Sequence, residues 1–324
     1  MSATVGKSNS ANRQIIAVGV VLDQTGKKVL ISRRHDHVHL GGYWEFPGGK
    51  LHPGEQVWNA LVREMREELN VMVKRARPLI KINHNYDDQR ICLDVWLVTE
   101  WSGKSQGREG QEFRWVDVTE LGKHEFPVAD KPIIMAINLP VIYGITPDLA
   151  SYDRNFFNRF IQLLQAGLRL IQFRSKRLTK PAKFRVIKEM FELCNDYGCR
   201  LLMNGLVDAD MIGYLHGVHL TSIELMQIGS RPLGTDYIIA ASCHNEKELE
   251  HACRVGIDFA VLSPVKQTAS HPGQATLGWD GFSRLAAAST IPVYALGGMR
   301  QSDIIKAQNS GGQGVAMISG LWEP

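Results

Sequence analysis

The chain has 324 residues, a length that suggests two domains. It is 44% hydrophobic and 22% charged with a net charge of +4, which excludes a disordered chain and is too small to argue for direct nucleic-acid binding. No apolar run is long enough to span a membrane and no secretory signal pattern opens the sequence, so a cytoplasmic protein without membrane partners is expected.

Residues 1–13 are small and polar, and are expected to form a disordered leader. QIIAVGVVL, residues 14–22, reads as a buried strand; a turn at 23–26 leads to a second strand over 28–32. Arg33-Arg34 follows, either as exposed edge charge or as a phosphate or base contact. The histidines of His35-Asp36-His37-Val38-His39 have no cysteine beside them and a Gly-rich segment behind them, which argues against zinc. Five cysteines (Cys92, Cys194, Cys199, Cys243, Cys253) form no C-x-x-C pair and read as reduced, mostly buried thiols.

The stretch from Gly48 to Val71 carries the first chemistry. Glu64, Glu67 and Glu68 stand at i, i+3 and i+4, so a helix over 56–69 projects all three from one face, with Val57, Ala60, Leu61 and Leu69 opposite. Like charges so close destabilise a helix unless something offsets them. A solvated acidic face is one reading, and a Mg²⁺ site completed by substrate phosphates is the other. Beyond the helix, 76–83 and 91–100 read as paired strands, 109–112 as an acidic loop, 113–118 as a strand and 133–138 as a short helix.

Gly49, Glu55, Arg63, Glu64, Met65, Glu67, Glu68 and Val71 fall in register with the Nudix box, G-x5-E-x7-R-E-U-x-E-E-x-G-U. Asn70 stands where that family has Gly, at a helix end that wants a left-handed residue, which Asn tolerates. With IAVGVVL, SRRHDHVH, WEFPGGK, GREGQEFRWV and FPVADKPII, residues 14–138 resemble a MutT-type Nudix hydrolase, an 8-oxo-dGTP diphosphatase that sanitises the nucleotide pool. The resemblance implies an α/β/α sandwich with a mixed sheet and a nucleoside triphosphate substrate. It also implies a Mg²⁺ cofactor, replaceable by Mn²⁺, on the Gly48 carbonyl, Glu64, Glu67, Glu68 and Glu109. Glu64 would serve as base, with Glu109 as its alternate, and Arg63 would pair with Glu55 or Glu67. Arg34 and His39 would contact the nucleotide, and Glu45, Phe46, Pro47 and Gly48 would line the base site. Asp130 replaces an Asn that reads oxidised guanine; ionised it only accepts hydrogen bonds, protonated it can also donate, and it could instead cap the following helix.

From residue 141 the pattern changes. Apolar runs at 141–145, 168–173, 200–203, 217–220, 237–241, 259–262, 292–296 and 314–318 alternate with helical stretches at 156–166, 181–197, 209–215, 246–255 and 282–288. That rhythm argues for a (β/α)8 TIM barrel over 139–324, with its last helix missing or vestigial and its chemistry at strand C-termini. QFRSK, ASCH, SPVKQTASH, YALGGM and GVAMISG make this half resemble thiamine-phosphate synthase and the related thiazole tautomerase. A thiamin-phosphate ligand is implied, with Gln172, Arg174 and Lys176 on pyrophosphate, and with Asn204, His244, Thr268, Ser270, Gly297, Gly298 and Ser319 around it. Gly205 and His271 replace a metal-binding Asp and a Lys of that family, and Glu224 occupies its second metal-ligand region. His244 matches the tautomerase acid/base group or is simply a hydrogen-bonded barrel histidine.

Overall fold

The continuous apolar run of the first strand becomes a strand buried on both faces. A computed structural model describes residues 13–87, 89–107, 110–268, 273 and 275–322. In it β1 (Gln14–Val21) is buried from Ala17 onward, flanked on both sides in a four-stranded mixed sheet. Next come β2 (Lys28–Arg33), β3 (Trp44–Glu45), β4 (Gly48–Lys50), helix α1 (Val57–Leu69), the long strands β5 (Met72–Asn85) and β6 (Arg90–Ser102), and β7 (Phe113–Asp117). The sheet order is β4-β1-β6-β5, with β1 antiparallel to β4 and parallel to β6; a second sheet, β3-β2-β7, is antiparallel. Helix α1 lays Ala60, Leu61, Met65 and Leu69 on Ala17, Val21 and Val98. Gly19 lets it approach, since a Cβ there would lie 2.7 Å from Met65 Sδ.

The described residues fall into two compact units, one of residues up to 77 with 81–130 and one of 78–80 with 131 onward. Helix α2 (Lys131–Asn138), expected from sequence to close the first domain, therefore groups with the second unit.

In that unit short apolar strands close a parallel barrel: β8 (Ile142–Ile145), β9 (Leu170–Phe173), β10 (Arg200–Asn204), β11 (Gly217–Leu220), β12 (Ile238–Cys243), β13 (Phe259–Leu262), β14 (Val293–Ala295) and β15 (Gly314–Met317). The interior is packed, with Tyr143, Leu170, Leu202, Phe259, Val261 and Tyr294 in one cluster that Leu139 joins and Met135 packs against. The C-terminal carbonyls of α2, which have no partner within the helix, are taken up by barrel side chains. Gln313 Nε2 donates to Ala136 O (2.9 Å) and Leu139 O (2.7 Å), and Arg200 Nη2 to Asn138 O (2.6 Å). Outer helices α3 (Arg154–Gln165), α4 (Lys180–Asp196), α5 (Ala209–Ile212), α6 (Ser222–Gln227), α7 (Glu246–Arg254), α8 (Gly278–Ala288) and α9 (Ile304–Asn309) sheathe the strands. The last, α10 (Ser319–Trp322), is a single turn, held by Trp322 Nε1 donating to Ile145 O at 2.7 Å. No helix among the described residues is long and apolar enough to cross a membrane.

Candidate active site

Arg63 is the centre of the carboxylate helix. Its Nε and Nη2 donate to the two oxygens of Glu55 (3.1 and 2.8 Å), Nη2 also to Lys50 O (3.1 Å), and Nη1 to Glu64 Oε1 (2.7 Å), with Glu67 Oε2 at 3.5 Å. One guanidinium thus ties α1 to the turn before it and to β4. The Arg63 hydrogen bond holds the Glu55 carboxyl down to about 2, helped by the His52 N–H. Glu64 lies against Gly49, where a Cβ would fall 2.1 Å from its Oε1 and force the carboxylate to shift. Gly48 is equally constrained, as a Cβ there would meet Ala17 O at 2.1 Å. Asn70 ends the helix at φ 57°, ψ 28°, the left-handed conformation expected of it.

Among the described residues no three acidic, histidine or cysteine side chains form a ready metal cage, and Glu109 lies outside those residues. The donor chemistry nonetheless fits a hard cation. Glu64, Glu67 and Glu68 share one helix face, the Gly48–Gly49 backbone runs beside Glu64, and Mg²⁺ ordinarily completes its shell with water and substrate phosphate.

A second cluster gathers Arg34, Glu45 and Asp130. Arg34 Nη1 makes a close ion pair with Glu45, and its Nε donates to His39 O at 2.9 Å. Burial raises the Glu45 carboxyl, and Arg34 opposes the rise. Asp130 is only 7% exposed. Burial pushes its carboxyl up to about 8, the Glu45 charge adds to the rise and Arg34 opposes it. Two carboxyls share one cation here, so one of them keeps its proton at neutral pH. The His39 ring stands edge-on to Tyr86 (5.0 Å), whose phenol burial raises, with Asp130 contributing. Phe46 is 4% exposed and stacks on Phe126 at 5.3 Å, so its ring is packed away rather than presented as an open stacking face. Pro47 O accepts from Gly19 N at 2.8 Å, binding this segment to β1. Tyr86 and Phe126 escape the sequence reading, because one stands at a strand end beside a turn and the other in an irregular stretch without periodicity.

In the barrel, Gln172 is 2% exposed on β9, while the loop after it is pinned by Thr146 Oγ1 accepting from Arg174 N (2.8 Å) and Asp148 from Lys176 N (2.7 Å). A buried polar chain runs from Tyr143 Oη to His219 Nδ1 (3.1 Å) and from His219 Nε2 to Ser242 Oγ (2.9 Å). Burial lowers the His219 pKa to about 3, so the imidazole is neutral. Tyr143 carries no motif and is missed by sequence reasoning. His244 is exposed, its Nδ1 2.7 Å from Ser263 O. The Gly297-Gly298 turn is left-handed at both residues (φ 107° and 62°), and a Cβ on Gly298 would meet Gln267 O at 2.6 Å. Ser319 opens α10; Thr268 lies in the loop between β13 and α8, and Ser270 lies outside the described residues.

An acidic helix clamped to a Gly-Gly strand, followed by a parallel eight-stranded barrel with polar groups at its strand ends, defines a fusion of two enzyme folds. Residues 17–136 match the NUDIX domain model, and residues 142–321 match the model for thiamine monophosphate synthase. A putative thiamine-phosphate synthase 2 of Aquifex aeolicus is 31% identical over 183 residues, 56% of this chain and 98% of that protein. The 8-oxo-dGTP diphosphatase of Escherichia coli is 35% identical over 119 residues (37% and 92%), and that of Proteus vulgaris 40% over 95 residues (29% and 84%). The chain therefore belongs to the thiamine monophosphate synthase family, with a NUDIX domain as its N-terminal part.

Proposed function

We propose that residues 14–138 form a cytoplasmic Mg²⁺-dependent pyrophosphohydrolase of oxidised purine nucleoside triphosphates, converting 8-oxo-dGTP to 8-oxo-dGMP and pyrophosphate, and that residues 139–324 bind a thiamin-phosphate ligand. The observation that carries the reaction is the carboxylate face held in place by Arg63 against Gly49.

Glu64, Glu67, Glu68, Glu109 and the Gly48 carbonyl would hold Mg²⁺, or Mn²⁺ in its place. Bound there, the ion neutralises the triphosphate and polarises the phosphorus under attack. Arg63 already occupies Glu64 Oε1, which leaves Oε2 to take a proton from water as its oxygen bonds to phosphorus. The anhydride bond bridging the α and β phosphates breaks, its electron pair leaves with the phosphate not attacked, and the products are the monophosphate and pyrophosphate. Arg34, His39 and Glu45 position the nucleotide beside Phe46 and Pro47. Neutral Asp130 offers both an O–H donor and a carbonyl acceptor, the pair that the N7–H and O6 edge of 8-oxoguanine needs; ordinary guanine presents two acceptors there.

A second reading follows from the barrel's family membership, a NUDIX half that cleaves a thiamin-type diphosphate. Pyrophosphate or phosphate release from 8-oxo-dGTP, dGTP and thiamin diphosphate, compared in one Mg²⁺ buffer, separates the two. A kcat/KM preference for 8-oxo-dGTP supports pool sanitation. A preference for thiamin diphosphate transfers the chemistry to thiamin metabolism, and full activity of Glu67→Gln/Glu68→Gln refutes both.

A further inference from the structure

We infer that the barrel holds its phosphorylated ligand through fixed cations alone, without the divalent metal that its family resemblance implies. The implied seat needs an Asn–Asp pair at the end of β10 and a carboxylate after β11. Here the pair is Asn204-Gly205, and the remaining acid is Glu224.

Glu224 is already committed. Its Oε1 accepts from Leu206 N (3.0 Å), and its Oε2 from both the N–H and the hydroxyl of Thr221 (2.8 Å each). Thr221 Oγ1 accepts in return from Glu224 N (3.3 Å), which closes a capping box at the start of α6. Gly205 is left-handed at φ +85°, and a Cβ on it would lie 3.1 Å from Glu224 Oε1. The Glu224 carboxylate thus borders the space a second acid would need, and that acid would also sit on strained backbone. Coordination by Glu224 would compete with the cap of α6 and with the Leu206 turn. Asn204 adds only a neutral amide, and no pair of further acidic, histidine or cysteine side chains joins Glu224 to make a group of three among the described residues. This donor set does not fit Mg²⁺.

The cations are better placed. Arg174 and Lys176 rise from a loop whose backbone is anchored to Thr146 and Asp148, and neither is in ion-pair contact with a carboxylate among the described residues. A planar guanidinium on an anchored loop can take two phosphate oxygens at once, and the ammonium adds a point charge. The ligand class is a phosphate or diphosphate anion that arrives free of metal. The metal demand of the whole chain then rests with its NUDIX part, and a chelator separates the two halves functionally.

The test uses the full chain carrying Glu67→Gln/Glu68→Gln, with inorganic pyrophosphate as the probe in calorimetric titrations with EDTA or with Mg²⁺. Affinity is expected to be no tighter in Mg²⁺ than in EDTA, and to fall about tenfold or more in Arg174→Ala and in Lys176→Ala, the loss expected of one charge-assisted hydrogen bond. Glu224→Gln should bind as its parent does. Tightening by Mg²⁺ of about tenfold or more, or no binding in EDTA, overturns the inference.

Discussion

Asp130→Asn exchanges a buried acid for an amide of nearly the same shape, and the exchange separates stability from specificity. The carboxyl is raised from an ordinary 3.8 to about 8, chiefly by burial. Between 3.8 and neutral pH lie about 3.2 units, each equivalent to about 1.36 kcal/mol, so keeping Asp130 protonated at pH 7 costs the fold on the order of 4 kcal/mol. The folded state holds a proton that the unfolded chain has released, so this stability is present below about pH 4 and is lost progressively up to about pH 8. The amide of the variant does not titrate and has no such dependence. Urea unfolding should show the variant equal to wild type near pH 4 and more stable by about 4 kcal/mol at pH 7 and about 5 kcal/mol at pH 8. The catalytic consequence runs on the same proton. Above about pH 8 the wild-type carboxyl loses its donor, and its preference for 8-oxo-dGTP over dGTP in kcat/KM should fall by about tenfold per pH unit, while the Asn variant keeps its preference. Wild-type selectivity that stays flat to about pH 9.5, or a variant no more stable relative to wild type at pH 8 than at pH 4, would refute the neutral carboxyl.

Glu67→Gln/Glu68→Gln should lower Mg²⁺-dependent turnover by about a hundredfold or more, yet leave the thermal unfolding midpoint almost unmoved, since neither side chain is in the core. Gly49→Ala places a Cβ 2.1 Å from Glu64 Oε1, so kcat should drop by about ten- to a hundredfold with a far smaller change in stability, read by steady-state kinetics beside a urea titration. Gln313→Ala strips the Ala136 and Leu139 carbonyls of their donor; unfolding monitored by circular dichroism should show a loss of about 1–3 kcal/mol.

Long apolar runs announced their strands closely. Gly217–Leu220 and Phe259–Leu262 lie where the sequence puts them, because a strand buried on both faces needs an unbroken hydrophobic stretch. Trp44–Glu45 and Gly48–Lys50 gave no such signal. Gly48 pairs with Val18 and Gly49 with Ala17, so long-range register, not local propensity, makes them strands. Helix α6 was hidden for another reason, its six residues being too few for a periodicity and its start fixed by Thr221 and Glu224 side chains. The Nudix acids were legible because chemistry fixes their spacing along one helix. The protonation of Asp130 was legible only as an alternative, since burial beside Glu45 is a property of the folded chain.

Helix α2 belongs by family match to one half and by packing to the other: the NUDIX model extends to residue 136, whereas the carbonyls of Ala136, Asn138 and Leu139 are bound by Gln313 and Arg200. The fusion is therefore not two cassettes in tandem. A gene cut after Asn138 would deliver a barrel without α2, in which Gln313 keeps Leu139 O but loses Ala136 O, and Arg200 loses Asn138 O. A cut after Asp130 would leave the hydrolase short of a segment its relatives carry. Whatever event joined the two halves, residues 131–136 are claimed by both, and their separation would require those six residues to be supplied twice.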